Sequence, residues 1–215
     1  MLELRNLWKS YDAHGRQKHV LRGLNATFMR GDAVGILGRN GAGKSTLIRM
    51  MAGIEPPTGG EVIRSMSVSW PLGFGGAVHG SITGADNCRF IARIYGKPAG
   101  WVESFVEEFA ELGEYFRLPV KTYSSGMSSR LAFGLSMAID FDCYLVDEVI
   151  AVGDARFTER CRIMLEERRR RSALLMVSHQ GELLRAFCTT AAILHEGRLT
   201  FHEDLDQAIA TYQAL

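Results

Sequence analysis

The segment Gly38-Arg-Asn-Gly-Ala-Gly-Lys-Ser45, directly after the apolar run AVGIL at 33–37, constrains this chain more than any other feature. It is a full GxxxxGK[ST] pattern in the strand-to-helix setting that the pattern requires. Its glycines let consecutive backbone N–H groups turn toward a β-phosphate, and the positive end of the helix expected at 44 to 52 adds its dipole. Lys44 then places a point charge between the β- and γ-phosphates, and the Ser45 hydroxyl is a Mg²⁺ ligand. Gly53 follows Met51-Ala52 and Pro56-Pro57 cannot continue a helix, so the helix ends there.

Further apolar runs match AVGIL in kind. CYLVD (143 to 147), ALLMVS (173 to 178) and AAILH (191 to 195) are short and continuous, as expected for strands of a parallel sheet covered on both faces. Segments with helical spacing separate them, which predicts an α/β fold with ligands at the carboxyl ends of the strands. From Leu2 to Phe28, short apolar segments broken by YDAHGRQK and then RG read as antiparallel strands joined by polar turns. Between about Gly80 and Tyr123 no strand pattern occurs. NCRFIARIYG and WVESFVEEFAELGEYF instead carry apolar residues three and four apart, which predicts a helical lobe, approximately 80–140, inserted in a single domain spanning 1–215. At the end of the chain, EGRLTF and DLDQAIATYQAL read as a turn, a strand and a helix with Leu205, Ala208, Ile209 and Tyr212 on one face.

Composition removes several classes of function. With 25 basic and 24 acidic residues the formal charge is +1, so no nucleic-acid partner is expected. The run Arg168 to Arg171 closes a helical pattern (Phe157, Cys161, Met164, Leu165), where arginines favour the negative end of the helix dipole. Cys88, Cys143, Cys161 and Cys188 lie far apart in apolar or periodic segments and read as reduced core residues of a cytosolic protein. No apolar run reaches the roughly 18 residues that a membrane span needs, and MLELRNLWKS lacks the apolar core of a signal peptide. Any membrane function therefore calls for another chain.

The strand CYLVD ends in Asp147-Glu148, an acidic pair at the carboxyl edge of a neighbouring strand. Asp147 is placed to hold Mg²⁺ through water, and Glu148 to polarise an attacking water. ALLMVS ends at Ser178-His179, a third polar group at that edge and a candidate contact to a γ-phosphate.

In this order the pieces resemble the ATPase subunits of ABC transporters. The resemblance implies a P-loop NTPase fold with a mainly parallel core sheet, an N-terminal antiparallel β subdomain and an inserted α-helical subdomain. It implies that ATP is held by Gly38, Arg39, Asn40, Gly41, Ala42, Gly43, Lys44, Ser45 and Thr46. It also implies that Mg²⁺ is held by Ser45 and Asp147, that Glu148 is the catalytic base, and that His179 is the switch histidine. AVGD, ending at Asp154, matches the family's D-loop, and Tyr11 lies where the family has an aromatic residue that stacks on adenine. Tyr123-Ser-Ser-Gly-Met127 stands where the signature LSGGQ would be and departs from it at Tyr123, Ser125 and Met127. Ser124, Ser125 and Gly126 then face the γ-phosphate held by the P-loop of a second subunit, which implies a homodimer with two sandwiched ATP molecules.

The departures narrow the likeness. YSSGMSSRLAFGLSMAIDFDCYLVDEVIAVGDARF and SWPLGFGGAVHGSITGADN resemble the ATP-binding subunits of bacterial capsular polysaccharide exporters over nearly the whole chain. That branch implies a peripheral ATPase on the cytoplasmic face of the inner membrane, two permease subunits, and a polysaccharide contacted mainly by the permease. Exporters of O-antigen or teichoic acid are the alternative, with a non-transport P-loop ATPase behind them. Many of the former carry an added C-terminal domain, and a chain that stops at Leu215 is expected in the capsule branch. The family's Q-loop glutamine has no counterpart near Leu72 to Phe74, where His79 is the nearest polar residue. Trp70, Leu72 and Phe74 are expected to form an apolar docking surface for a permease helix. The absence of an NKxD segment argues against a GTPase.

Overall fold

The computed structural model describes residues 1–13, 15–72, 76, 78–147 and 154–215. They form two compact units, one made of Met1–Pro71, Phe141–Glu148 and Arg168–Leu215, the other of Leu72–Asp140 and Val149–Glu167.

The first unit contains two sheets. In the smaller, β1 (Leu2–Ala13) lies between β2 (Arg16–Phe28) and β4 (Gly59–Arg64), antiparallel to both. The larger has the order β5 (Val68–Leu72), β6 (Cys143–Asp147), β7 (Ala173–Val177), β3 (Ala33–Leu37), β8 (Thr190–His195), β9 (Arg198–His202). β6, β7, β3 and β8 run parallel, and β9 returns antiparallel beside β8. All residues of β3 and β7 are buried, which is why their sequences show no polar alternation. Leu4, Leu21 and Phe28 of the small sheet share one core with Ile36, Leu145 and Leu175 of the large one and with Leu47 and Met50 of α1 (Lys44–Met51). Helices α6 (Gly181–Phe187) and α7 (Leu205–Gln213) complete the unit. The carboxylate of Asp204 caps α7 through the Gln207 amide at 2.9 Å, while Ala208 and Ile209 are buried.

The second unit is helical: α2 (Gly84–Ile94), α3 (Ala99–Ala110), two short 3₁₀ turns (Gly113–Arg117 and Val120–Thr122), α4 (Ser125–Ala138) and most of α5 (Ala155–Arg169). Thr83 and Asp86 start α2 as a reciprocal cap, the Asp86 amide donating to Thr83 Oγ1 at 3.0 Å and that hydroxyl donating to Asp86 Oδ2 at 2.6 Å. Phe105 stacks on Phe109 within α3 at 5.9 Å between centroids, and Phe109 stacks in turn on Phe133 of α4 at 5.9 Å. Gly134 of α4 admits Val106, since a Cβ there would lie 3.3 Å from Val106 Cγ1.

The strand and helix readings hold for all the long apolar runs, with three differences. Arg22-Gly23 is no turn: β2 passes through it, Gly23 taking φ +65° at an irregularity in the pairing with β1. β4 and β5 lack a clear pattern, because β4 is half exposed and β5 contains Pro71. Trp70 and Leu72 do not form an exposed apolar loop. Both belong to β5, with Leu72 buried and Trp70 packed edge-on against Phe141 at 5.3 Å, and Phe74 lies outside the described residues.

Candidate nucleotide site

The loop after β3 reaches α1 through Gly43, whose φ of +104° few other residues adopt and whose position leaves no room for a side chain. A Cβ there would come within 2.6 Å of Val20 Cγ1. This turn sets the start of α1 against a cleft of about 370 Å³ lined by Val20, Asn40, Gly41, Lys44, Ser45 and Asp147 among others. Lys44 is buried, and its ammonium donates to the carbonyls of Gly38 at 2.6 Å and Arg39 at 3.1 Å. It is thus drawn across the loop that carries it. Ala42 and Thr46 complete the predicted loop, the Ala42 amide donating to Arg39 O at 3.0 Å.

Parallel pairing aligns the ends of three strands, with Asp147 of β6 opposite Val177 of β7 and Val177 opposite Ile36 of β3. The Ser45 hydroxyl therefore donates to Asp147 Oδ1 at 3.3 Å, although 102 residues separate them. Hydroxyl and carboxylate oxygens converging in a phosphate-sized cleft form a hard donor set that suits Mg²⁺. His179, just past β7, lines a second cleft of about 510 Å³ with Arg39, Asn40 and Tyr212, so Asn40 belongs to both clefts. Tyr212, expected only on the apolar face of the last helix, reaches the loop after β3. Its hydroxyl donates to Gly38 O at 3.4 Å, the carbonyl that also accepts from Lys44. Glu148 lies outside the described residues, as do 149–153 before Asp154.

Tyr11 is tied into an ionic cluster. Its hydroxyl donates to Glu55 and lies 3.3 Å from Thr46 Oγ1, while the Lys9 ammonium sits 5.1 Å from its ring centroid. Lys9 and Arg49 pair with Glu55 at 2.9 and 3.0 Å. Burial alone would raise the Glu55 pKa, but hydrogen bonds from Tyr11, Lys9 and Arg49 outweigh it and hold it at about 2. Tyr11 does not line the 370 Å³ cleft and borders a separate recess with Trp8, Asp12 and Gln17.

In the helical unit, Ser124 is the N-cap of α4, its hydroxyl accepting the Met127 amide at 3.2 Å. Ser125 and Gly126 occupy the first turn, and a Cβ on Gly126 would meet nothing closer than Ser124 Oγ at 3.9 Å. Tyr123 has an anchoring role: its hydroxyl donates to Tyr115 O at 2.7 Å, and it packs so close to Gly84 that a Cβ there would lie 2.7 Å from that oxygen. Two residues escaped the sequence reading. Arg130 donates to Asp154 at 2.7 Å while lying 4.6 Å over the Phe157 ring, and so joins α4 to the segment that starts α5. The Phe157 amide and then Arg130 hold the Asp154 pKa below the usual carboxylate value. Asn87, buried in α2, accepts the His79 amide at 2.8 Å and donates to His79 O at 3.1 Å, so the loop at His79 is fixed through its backbone. Asp147 is legible from its place at the end of an apolar strand, whereas Arg130 and Asn87 give no signal beyond their helical spacing.

A family model described as ABC transporter matches residues 21–151. The chain belongs to the ABC transporter family. It is 50% identical to the ATP-binding protein BexA of Haemophilus influenzae, over 99% of this chain and 98% of that protein. It is 49% identical to the capsule polysaccharide export ATP-binding protein CtrD of Neisseria meningitidis serogroup B, over the full length of both. Among solved structures, the ATP-binding cassette MJ0796 in a dimeric post-hydrolysis state bound to ADP and Pi superposes with a TM-score of 0.81 at 20% identity. That match covers 95% of this chain and 99% of the other, and it shows the shared fold. As a family member the chain is an ATPase, with an α/β core in which the parallel strands dominate.

Proposed function

We propose that this chain is the ATP-hydrolysing subunit that energises export of a capsular polysaccharide across the bacterial inner membrane, as a pair working with two permease subunits. The observation that carries this reading is the end-to-end match to a capsule polysaccharide export ATP-binding protein, with no large insertion or loss on either side. No helix among the described residues is long and apolar enough to cross a membrane, so the route for the polysaccharide belongs to other chains. The ATPase is then peripheral on the cytoplasmic face.

In the proposed cycle the first amides of α1 and the loop after β3 receive the phosphates, and Lys44 moves its donors from the Gly38 and Arg39 carbonyls to phosphate oxygens. Ser45 and Asp147 would hold Mg²⁺, which neutralises charge on the β- and γ-phosphates when bound. Glu148, next in sequence to Asp147, orients the water, and His179 senses the γ-phosphate. The signature turn completes the site of a second copy. The free space over Gly126 supports this, since nothing among the described residues requires a glycine there. Ser124 already caps α4, which leaves the Ser125 hydroxyl and the first-turn amides for an anion. Asp154, held by Arg130, ties the signature helix to the D-loop so that the two move together.

Affinity purification from membranes tests the reading. Co-purification of a multi-span permease, with ATP hydrolysis and no phosphorylated acceptor, is expected. Recovery of soluble partners alone would contradict it.

A further inference from the structure

A recess of about 770 Å³ lies on the small antiparallel sheet beside β9, bordered by Asn6, Trp8, His19, Arg22, Asn25 and Arg198 among others. It shares no lining residue with the P-loop cleft or the His179 cleft. Its volume falls within the roughly 300–1,000 Å³ of small-molecule sites.

The charge of this recess is one-sided. In a chain with 25 basic and 24 acidic residues, its lining contains two arginines, a histidine and no carboxylate. Neither the Arg22 nor the Arg198 guanidinium has a side-chain partner among the described residues. The fold itself brings them together: the Arg22 amide donates to Gly197 O at 2.8 Å, and a Cβ on Gly197 would lie 2.9 Å from Arg22 Cγ. The Arg22 stem thus passes over the residue that precedes Arg198. Two like charges on one rim repel unless an anion lies between them.

Beside these cations the floor is rigid. Asn6 takes a left-handed conformation, φ +45°, at an irregularity of β1. Its amide donates to Asn25 Oδ1 at 2.9 Å and its Oδ1 accepts the Trp8 indole N–H at 3.0 Å. The indole is therefore oriented, with its only donor satisfied, and is 37% exposed. Gly23 keeps its flank open, since a Cβ there would lie 3.3 Å from Trp8 Cζ2 and 3.0 Å from Asn6 Oδ1. His19 stands edge-on to the indole at 6.2 Å, its Nδ1 2.7 Å from Ser10 Oγ.

A fixed flat apolar ring, amide and imidazole groups at its side, and a guanidinium pair without a carboxylate match a ligand with an apolar face, hydroxyls and an acid group. We propose that this recess binds an acidic sugar, with its C–H face on Trp8, hydroxyls toward Asn25 and His19, and its carboxylate or phosphate on Arg22 and Arg198. This does not depend on the export reading. The acid group has two possible sources, a uronic acid unit of a polysaccharide or a sugar phosphate precursor.

The test is calorimetric titration of the full chain, with saturating ADP and Mg²⁺ so that the P-loop is occupied. The probes are a hexuronic acid trisaccharide, glucose 1-phosphate, a neutral glucose trisaccharide and inorganic phosphate. One acidic sugar is expected to bind about tenfold or more tightly than the neutral trisaccharide, and to weaken as salt is added. The trisaccharide as the tighter probe identifies a polysaccharide unit, and glucose 1-phosphate a precursor. Arg22→Gln with Arg198→Gln should reduce that affinity by about tenfold or more, and Trp8→Leu by several-fold, with ADP binding unchanged as the control for folding. The proposal is overturned if neither acidic sugar binds, if neutral and acidic sugars bind alike, if inorganic phosphate binds as well as the sugars, or if the double glutamine variant, still binding ADP, keeps full affinity.

Discussion

The starts of α1 and α4 are built from the same materials, glycine and serine at a helix N-terminus, and the fold treats them in opposite ways. At α1 the glycine is enclosed: Gly43 has φ +104° and Val20 fills the place of any side chain. Lys44 is buried, and Ser45 has its partner in Asp147 within the same unit. At α4 the opening residues Ser124 and Ser125 are exposed, and the space over Gly126 is open. Ser124 serves as the cap, its hydroxyl accepting the Met127 amide. A glycine in a helix costs about 1 kcal/mol relative to alanine, so an open one is retained at the expense of stability. The contrast is between a glycine that its own unit requires and one that is open, which is the difference the proposed dimer reading needs.

Substitutions can break that contrast, and the largest effect is expected at the reacting end of the α1 site. Glu148→Gln should lower ATP turnover by a factor of roughly 10² to 10⁴ while ATP binding persists, as single-turnover and equilibrium binding assays would report. Near-normal hydrolysis would remove Glu148 from the role of base. Gly43→Val should destabilise the fold by about 3 kcal/mol or more in a denaturant titration, through backbone strain and the collision with Val20. Gly126→Ala should raise stability by up to about 1 kcal/mol, and a loss comparable to that at Gly43 would erase the difference between the two sites.

Smaller effects sharpen the picture around each site. Glu55 is held at about 2, below its ordinary 4.5, so the unfolded chain binds more protons between these values. Its stabilisation is complete above about pH 4.5 and is lost as the pH falls toward 2. Glu55→Gln should cost about 2 kcal/mol at neutral pH and much less near pH 2, in unfolding curves compared across that range. Tyr123→Phe should cost about 1 kcal/mol by removing the bond to Tyr115 O, measured by thermal unfolding. An unchanged midpoint would show that the tyrosine does not anchor the signature turn.

The sequence revealed the core because its strands are buried on both faces. AVGIL, CYLVD and ALLMV carry no polar residue within the sheet until Asp147, and that exception marks the site. β4 and β5 were not legible, since Gly59, Gly60 and Glu61 begin one and Pro71 lies in the other, and each pairs with a strand distant in sequence, β4 with β1 and β5 with β6. Arg22-Gly23 misled because a bulge and a turn use the same residues. Within the candidate site, local spacing pointed to the loop from Gly38 to Ser45 and to Asp147, which the structure brings together. The link from Arg130 to Asp154, and that from Tyr212 to Gly38 across 174 residues, depend on tertiary packing that no local pattern encodes.

In the proposed dimer the turn Tyr123 to Met127 of one copy completes the ATP site of another. Sedimentation velocity on the Glu148→Gln protein, with and without ATP and Mg²⁺, tests it most directly when repeated with Gly126→Leu added. ATP-dependent dimers of the first protein and monomers of the second are expected, with equal ATP binding by both. Dimers that survive Gly126→Leu, or loss of ATP binding by its monomer, would contradict it.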